Sequence, residues 1–141
     1  MTASPCTRTG DLRFRNETDM SSADNCVFCR IAAGQIPAQK LYEDDLVLAF
    51  HDIRPAAPVH FLLVPKRHVD SLASCTTADT PLLGHMLALA ARLAAEQGCA
   101  NGFKTVINTG ADGGQEVYHL DMHVLGGPRP WQGAIAIGAT V

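Results

Sequence analysis

Short stretches of the chain alternate apolar and polar residues as β-strands do. The clearest alternation runs from Val117 to Leu125, where Tyr118, Leu120, Met122 and Val124 alternate with polar residues. Four further stretches have the length and residue content of strands: Lys40 to Glu43, Leu46 to His51, Val59 to Pro65, and Phe103 to Asn108. Tight turns join several of them, so the pattern predicts an antiparallel sheet.

Two segments have helical signals. Asn25 can cap a short helix that ends near Ala33, with Gly34 after it. A long helix begins at Asp79 or Thr80, has Pro81 in its first turn and ends before Gly98. Its apolar stripe comprises Leu82, Met86, Leu89, Ala90 and Leu93. The expected fold is α+β: an antiparallel sheet with one long helix and a short N-terminal helix.

Length and composition narrow the class of protein. A chain of 141 residues, 47% of them hydrophobic, suits one domain, and no apolar run reaches the roughly 18 residues of a membrane span. The net charge of −3 gives no basic surface for a nucleic-acid polymer, so a small molecule is the expected ligand. Five cysteines, an odd number, without a secretory leader favour reduced thiols in the cytoplasm.

The polar first 24 residues lack periodicity and are predicted to be a disordered extension, with the folded domain over residues 25–141. Met20 lies just before that domain and is a candidate start residue.

The segment from Asn108 to Gly127 holds the strongest chemical signal. On a strand from Val117 to Leu125, His119, Asp121 and His123 would all lie on one face. Just upstream, Gly110, Gly113 and Gly114 form a loop whose backbone N–H groups can approach an anion, and Gln115 adds a neutral donor. This arrangement predicts phosphate chemistry beside acid–base or nucleophilic groups.

Cys26 and Cys29 form a Cys-x-x-Cys pair in the N-terminal helix. Such a pair is a redox centre, half of a zinc site, or ordinary packing. No strand precedes it, which favours zinc over redox chemistry. His119 and His123 would be about 13 Å apart on one strand, so they do not easily share the metal.

Two separated motifs carry a resemblance to a known family. NTGADGGQEVYHLDMHVLGG at 108–127 and FHDIRPAAPVHFLLVPKRH at 50–68 resemble the histidine triad (HIT) superfamily, specifically its Hint branch of nucleotide-binding phosphoramidases. The resemblance covers roughly Asn25 to Trp131. It implies a homodimer that binds a purine nucleoside or nucleoside monophosphate.

The resemblance also implies ligands and contacts. Bacterial Hint-like proteins with this Cys-x-x-Cys bind zinc through positions that match Cys26, Cys29, His68 and His119. Residues matching the base and ribose contacts are Val27, Phe28, Phe50, His51, Asp52 and Ile53, with Asp52 on the ribose hydroxyls. Residues matching the phosphate site are Asn108, Gly114, Gln115, Glu116 and His123.

The chain departs from the family pattern at two positions. The middle histidine of the triad, the family's nucleophile, is Asp121 here, and Glu116 stands where a serine usually assists the leaving group. The resemblance makes His119, Asp121 and His123 the catalytic set, yet a carboxylate facing a phosphate at about 4 Å costs roughly 4 kcal/mol at an effective dielectric of 20.

Two functions follow from this departure: a phosphoramidase or nucleotidyl hydrolase whose activity Asp121 impairs, or a zinc-stabilised nucleotide-binding protein without hydrolytic activity. A third possibility is that Asp121 is an engineered substitution.

Overall fold

The computed structural model describes residues 25–131. Two helices and five strands form in this range: α1 Val27–Ala32, β1 Lys40–Glu43, β2 Val47–His51, β3 Val59–Pro65, α2 Thr80–Glu96, β4 Phe103–Val106 and β5 Met122–Gly126. Short 3-10 turns cover Leu72–Ser74, Thr77–Asp79 and Ala111–Gly113. The predictions for the first 24 residues and for residues after 131 lie outside the described range.

All strand pairs are antiparallel, and the sheet order is β1-β2-β3-β5-β4. β5 follows β4 in sequence but lies between β3 and β4, so the strand that carries His123 runs through the sheet interior. In the register of β3 and β5, Leu62 is opposite His123 and His60 is opposite Leu125. The predicted α+β fold with one long helix is confirmed.

The central strands are buried on both faces because a helix covers each face. Successive residues of β3 point in opposite directions. Phe61 and Leu63 pack with Met86 and Leu93 of α2 in the larger core. Leu62 and Val64 belong to a second core on the other face, which also contains Leu48, Phe50 and Ile31 of α1. This double coverage explains the continuous apolar runs in β2 and β3.

The long helix has the predicted buried stripe. Met86, Leu89, Ala90 and Leu93 are each less than 5% exposed. Asp79 is the N-cap by position, but its carboxylate does not cap the helix: Oδ2 accepts from Thr76 N at 2.9 Å, and Oδ1 accepts from Arg67 at 2.6 Å. Within residues 25–131, no helix is long and apolar enough to cross a membrane.

Several predicted boundaries were wrong. The short helix is capped by Cys26, whose Sγ accepts the N–H of Cys29, and not by Asn25. β2 begins one residue later than expected, and β4 ends at Val106. The Cys26 sulfur thus takes the place that an asparagine side-chain oxygen usually has at a helix N-terminus. The sequence pattern favours asparagine as the cap and does not reveal this exchange.

The largest error concerns the predicted strand from Val117 to Leu125, because β5 starts only at Met122. His119 N–H donates to Val117 O at 2.9 Å in a tight turn, and Leu120 N–H donates to Val69 O at 2.6 Å. These bonds draw the segment towards the loop after β3. Tyr118, expected on the buried face, is therefore 45% exposed, whereas Leu120, Met122 and Val124 are buried as predicted.

Candidate functional site

Two cysteines and two histidines from three parts of the chain meet in a buried cluster. Cys26 and Cys29 come from the N-terminus of α1, His68 from the loop after β3, and His119 from the segment before β5. Their ligand atoms all lie within 4.8 Å of one another. Nδ1 of His119 is 3.2 Å from Sγ of Cys26 and 3.4 Å from Sγ of Cys29, and Nδ1 of His68 is 3.1 Å from Sγ of Cys29.

Hydrogen bonds to the opposite ring nitrogens orient both histidines. Nε2–H of His119 donates to the backbone carbonyl of Pro65 at 2.8 Å, and Nε2 of His68 lies 2.8 Å from Oδ1 of Asp70. Each Nδ1 is thereby directed at the thiols as an acceptor or ligand. Metal-bound histidines usually have such outer partners, and Cys2His2 is a common donor set for structural zinc. The cluster could therefore hold a metal ion of the zinc type.

The Cys26 thiol of the cluster favours the anionic form. Hydrogen bonding from Cys29 lowers the pKa of the Cys26 thiol far below its ordinary value, with help from His119 and His68, although burial opposes this. Burial lowers the pKa of His68, but hydrogen bonds to Cys26 and Asp70 outweigh it and raise the pKa overall. Because the thiolate is the metal-binding form of cysteine, this environment suits a cation.

A second cluster lies on the sheet face covered by α1 and combines two histidines with two aspartates. Nε2 of His60 is 2.8 Å from Nδ1 of His123. On one side, Oδ2 of Asp52 lies 3.4 Å from Nε2 of His60 and 4.0 Å from Nδ1 of His123. On the other side, Oδ1 of Asp121 lies 3.5 Å from Nε2 of His123. The order of contact is Asp52, His60, His123, Asp121.

The hydrogen bonds fix the tautomers of the two neutral imidazoles. Ala56 N–H donates to Nδ1 of His60 at 3.0 Å, so Nε2 of His60 carries the proton and donates it to Nδ1 of His123. The proton of neutral His123 is then on Nε2, facing Asp121. Such a chain can present an N–H donor to an oxyanion and relay protons.

The oxygen of Asp52 and the nitrogens of His60 and His123 are also close enough to share an ion. Nδ1 of His60 is occupied as an acceptor of the Ala56 N–H, however, so Nε2 cannot lose its proton to a metal without leaving the ring anionic. A metal-bound histidine normally donates from its other nitrogen. The arrangement therefore suits proton transfer rather than metal binding.

Burial dominates the protonation of this cluster. It lowers the pKa of His60, against the pull of Asp52, and lowers the pKa of His123, against the pull of Asp121. It raises the pKa of Asp121, against the opposing effect of His123 and His119. Low-dielectric surroundings disfavour the charged form of each group.

Sequence reasoning missed His60. The available signal was a histidine inside the apolar strand β3, two residues before Leu62 on the same face. In the sheet register Leu62 lies beside His123, which brings the two histidines together. Without the strand pairing, His60 is an ordinary polar residue near a strand end.

The glycine-rich loop has the backbone conformations that its glycines suggested. Gly110 has φ of 71° and Gly114 has φ of 79°, in the region that favours glycine. The amide of Gln115 serves the loop itself: its oxygen accepts Gly110 N–H at 2.8 Å, and its nitrogen donates to Asp70 O and Val117 O. Asn108 likewise donates to Gly113 O at 2.7 Å. Both side chains therefore shape the loop. Its backbone N–H groups are engaged as well, because those of Gly113 and Gln115 donate to Gly110 O and that of Gly114 donates to Ala111 O. An anion bound by this loop would have to replace these hydrogen bonds.

The residues predicted around a base have different surroundings. Val27 is 37% exposed and Ile53 is 92% exposed, so both present apolar surface to solvent. Phe50 is only 5% exposed and belongs to the core beneath α1, where its ring centroid is 5.8 Å from that of Phe28. His51, in β2, is partly buried.

Asp52 is held in place by Arg54 N–H, which donates to its Oδ1 at 2.7 Å. His119, predicted to be catalytic as well as metal-binding, is fully buried in the Cys/His cluster. Glu116 is exposed.

The fold and the two clusters define a class of protein: an antiparallel α+β domain with a Cys2His2 site of the metal-binding type beside a histidine–carboxylate site. Residues 25–136 match the family model described as "Scavenger mRNA decapping enzyme C-term binding". Protein HitA of Neisseria gonorrhoeae is 54% identical over 105 residues, which cover 74% of this chain and 98% of that protein. The chain belongs to the histidine triad family.

Solved structures agree with this assignment. The crystal structure of a HIT family hydrolase from Legionella pneumophila has a TM-score of 0.72 at 45% identity, covering 74% of this chain and 95% of that one. A histidine triad protein from Clostridium difficile has a TM-score of 0.72 at 46% identity, covering 75% and 93%. The relatives are thus HIT proteins that include hydrolases.

Proposed function

We propose that this protein is a Hint-type hydrolase that binds a purine nucleoside or nucleoside monophosphate and cleaves a phosphoramidate bond, with Asp121 slowing the reaction. The observation that supports this most strongly is the 2.8 Å contact between His60 and His123, with a carboxylate on each side. Its surroundings match the three parts of a nucleotide: exposed apolar residues for a base, an aspartate for a ribose, and an N–H donor beside a glycine-rich loop for a phosphate.

The ribose assignment falls on Asp52. Its Oδ1 is anchored by the backbone N–H of Arg54, while Oδ2 approaches His60. A carboxylate can accept hydrogen bonds from both hydroxyls of a diol. Val27 and Ile53 offer the exposed apolar surface that a purine would cover.

The proposed reaction has two steps. An oxygen of Asp121 attacks phosphorus as the phosphorus–nitrogen bond breaks, and the amine leaves with a proton from Nε2 of His123 in its cationic form, which is the minor form at neutral pH because burial lowers the pKa of His123. Water then adds its hydroxyl to phosphorus, which releases the nucleoside monophosphate and the Asp121 carboxylate, and its other proton returns to His123. Carboxylates form such acyl phosphates in other phosphoryl-transfer enzymes.

A second candidate function is nucleotide binding without hydrolysis. Imidazoles lie beside Asp52 and Asp121, and burial lowers the pKa of both His60 and His123. Neutral imidazoles do not neutralise the two carboxylates, so an incoming phosphate is repelled. This repulsion favours a protein that keeps the nucleotide pocket and has lost its hydrolytic activity.

The remaining parts of the proposal concern zinc and assembly. Zinc bound by Cys26, Cys29, His68 and His119 would serve as a structural cross-link. Reduced thiolate ligands are compatible with a cytoplasmic location. A homodimer would cover the outer edge of β4, which pairs with no strand among residues 25–131.

The test of the binding proposal is calorimetry with adenosine. Asp52→Ala should weaken binding by about 1.5–3 kcal/mol, the value of hydrogen bonds to a charged acceptor. Asp45→Ala is the matched control, because Asp45 is exposed in the turn between β1 and β2. Equal affinities for wild type and Asp52→Ala would remove the ribose assignment, and no adenosine binding by any of the three proteins would remove the proposal.

A further inference from the structure

Phe28 links the Cys/His cluster to the proposed nucleoside pocket. It lies in the helical turn between Cys26 and Cys29. Its ring meets the ring of His119 edge-on, with centroids 5.9 Å apart and planes at 85°. On its other side it tilts against Phe50, with centroids 5.8 Å apart. Movement of the cysteine turn or of His119 therefore moves a ring whose neighbour in the helix is Val27, one of the two exposed apolar residues assigned to the base.

The helix that carries Phe28 depends on outside contacts for its stability. α1 has six residues, well below the roughly 12 that make an isolated helix even marginal in water. Ile31 anchors it to the sheet core, and the two cysteines anchor it to His68 and His119. Because a metal would join both cysteines to those histidines, it would hold α1 far more firmly than the sulfur–nitrogen contacts alone.

The same cluster also holds the chain that leads into the histidine–carboxylate site. His119 is two residues before Asp121 and four before His123. Its Nε2 is bound to Pro65 O, and the next residue, Leu120, is bound to Val69 O. A metal at Nδ1 would add a third attachment, so one ion would fix both the apolar side and the acid–base side of the pocket.

We propose that metal binding and nucleoside binding are thermodynamically coupled through Phe28, so that each raises the affinity for the other. This inference rests on the proposed function, because it takes the pocket beside Phe28 as the nucleoside site. A ligand shifts a conformational equilibrium only by its different affinities for the two states. Here both ligands favour the state in which α1 is docked and Phe28 lies between His119 and Phe50.

The first measurement compares adenosine affinity in zinc-loaded protein and in protein stripped by a chelator. Coupling between sites is reciprocal and typically changes affinity at least about fivefold. We expect the stripped protein to bind adenosine weaker by that factor or more. In the converse experiment, zinc is titrated against a chromophoric chelator, and saturating adenosine should raise the zinc affinity by the same factor.

The second measurement assigns the coupling to Phe28. Phe28→Leu keeps all four ligands, and its zinc affinity is measured without adenosine and with adenosine at a concentration that saturates the variant itself. The ratio of these two zinc affinities should fall to about one, whatever the variant's zinc affinity without adenosine. Phe103→Leu is the matched control, because Phe103 is an exposed phenylalanine on β4. The control should retain the full wild-type effect in both titrations.

Equal adenosine affinity in zinc-loaded and stripped protein would overturn the coupling while leaving the proposed function standing. Full coupling in Phe28→Leu would overturn the role of Phe28. If circular dichroism shows that the stripped protein unfolds, the zinc titrations of Phe28→Leu and Phe103→Leu still decide, because linkage through unfolding would act equally in both variants and only a role of Phe28 would make them differ. Absence of adenosine binding in every form would overturn the proposed function and this inference together.

Discussion

Asp121→His should convert a slow or inactive protein into an efficient phosphoramidase. Asp121 is 16% exposed and lies 3.5 Å from Nε2 of His123. In the proposed binding mode its carboxylate faces the phosphate of the nucleotide. The substitution removes a negative charge from that position. It also supplies an imidazole, whose neutral nitrogen is a good nucleophile near pH 7.

The size of the effect follows from the charge. A unit charge about 4 Å from a phosphate oxygen costs roughly 4 kcal/mol at an effective dielectric of 20. Residual solvent exposure screens part of this, so we take about 2.7 kcal/mol as the gain in transition-state stabilisation. That gain corresponds to a rate increase of about 100-fold.

The assay follows amine release from an adenosine 5′-phosphoramidate at several substrate concentrations, so that kcat and KM are separated. Asp121→Asn is the control, because it removes the charge without adding a nucleophile. It should tighten binding of the nucleoside monophosphate and leave turnover low, whereas Asp121→His should raise kcat. A wild type as fast as Asp121→His would show that Asp121 is itself a competent nucleophile or that another residue attacks, and the reasoning from charge would fail.

The other predictions concern the phosphate site, the metal and the stability of the fold. Glu116→Ser in the Asp121→His background should raise kcat further, though not by a strictly additive factor, since both residues would face one phosphate; an unchanged or lower kcat would show that Glu116 does not hinder the reaction. Protein purified without chelators should contain zinc. Cys26→Ser or chelation should remove the metal and lower the melting temperature, because structural zinc contributes on the order of 10 kcal/mol of binding free energy. Zinc-free protein whose melting temperature is unchanged by chelation would rule out the metal site. Burial raises the pKa of Asp44, but hydrogen bonds from His85, Leu46, Val47 and Tyr42 outweigh it and hold that pKa at about 2. The Asp44 carboxylate therefore stabilises the fold by up to about 2 kcal/mol; this contribution is complete above the unfolded pKa near 4 and is lost as the pH falls towards 2. Between pH 7 and pH 3, the free energy of unfolding in urea should fall less in Asp44→Asn than in wild type. Equal falls would refute the role of Asp44.

Local sequence patterns predicted much of the fold because burial and chain geometry act over short distances. The run from Val59 to Pro65 is a strand at the predicted positions, since a run of apolar residues with Pro65 at its end suits a strand covered on both faces. The stripe through Met86 and Leu93 is buried against the sheet for the same reason. These features depend on the residues themselves and little on distant contacts.

The site was harder to predict because its residues are positioned by pairing between distant segments. The alternation before Met122 suggests a longer strand, but the bond from Leu120 to Val69 bends that segment out of the sheet. His119 thereby reaches Cys26 and Cys29, which are 93 and 90 positions away in the chain. His60 acquires a chemical role only because β3 pairs with β5 in the register that brings His123 beside it.

Product analysis of the unmodified protein tests whether it hydrolyses a nucleoside phosphoramidate. The protein, loaded with zinc, is incubated with an adenosine 5′-phosphoramidate, and adenosine monophosphate is quantified by chromatography against a buffer blank and against His123→Ala. We predict slow formation of the monophosphate that requires the protein and that is lost in His123→Ala. No product above the blank, from protein that still binds adenosine, would contradict the hydrolase assignment and establish the nucleotide-binding protein in its place.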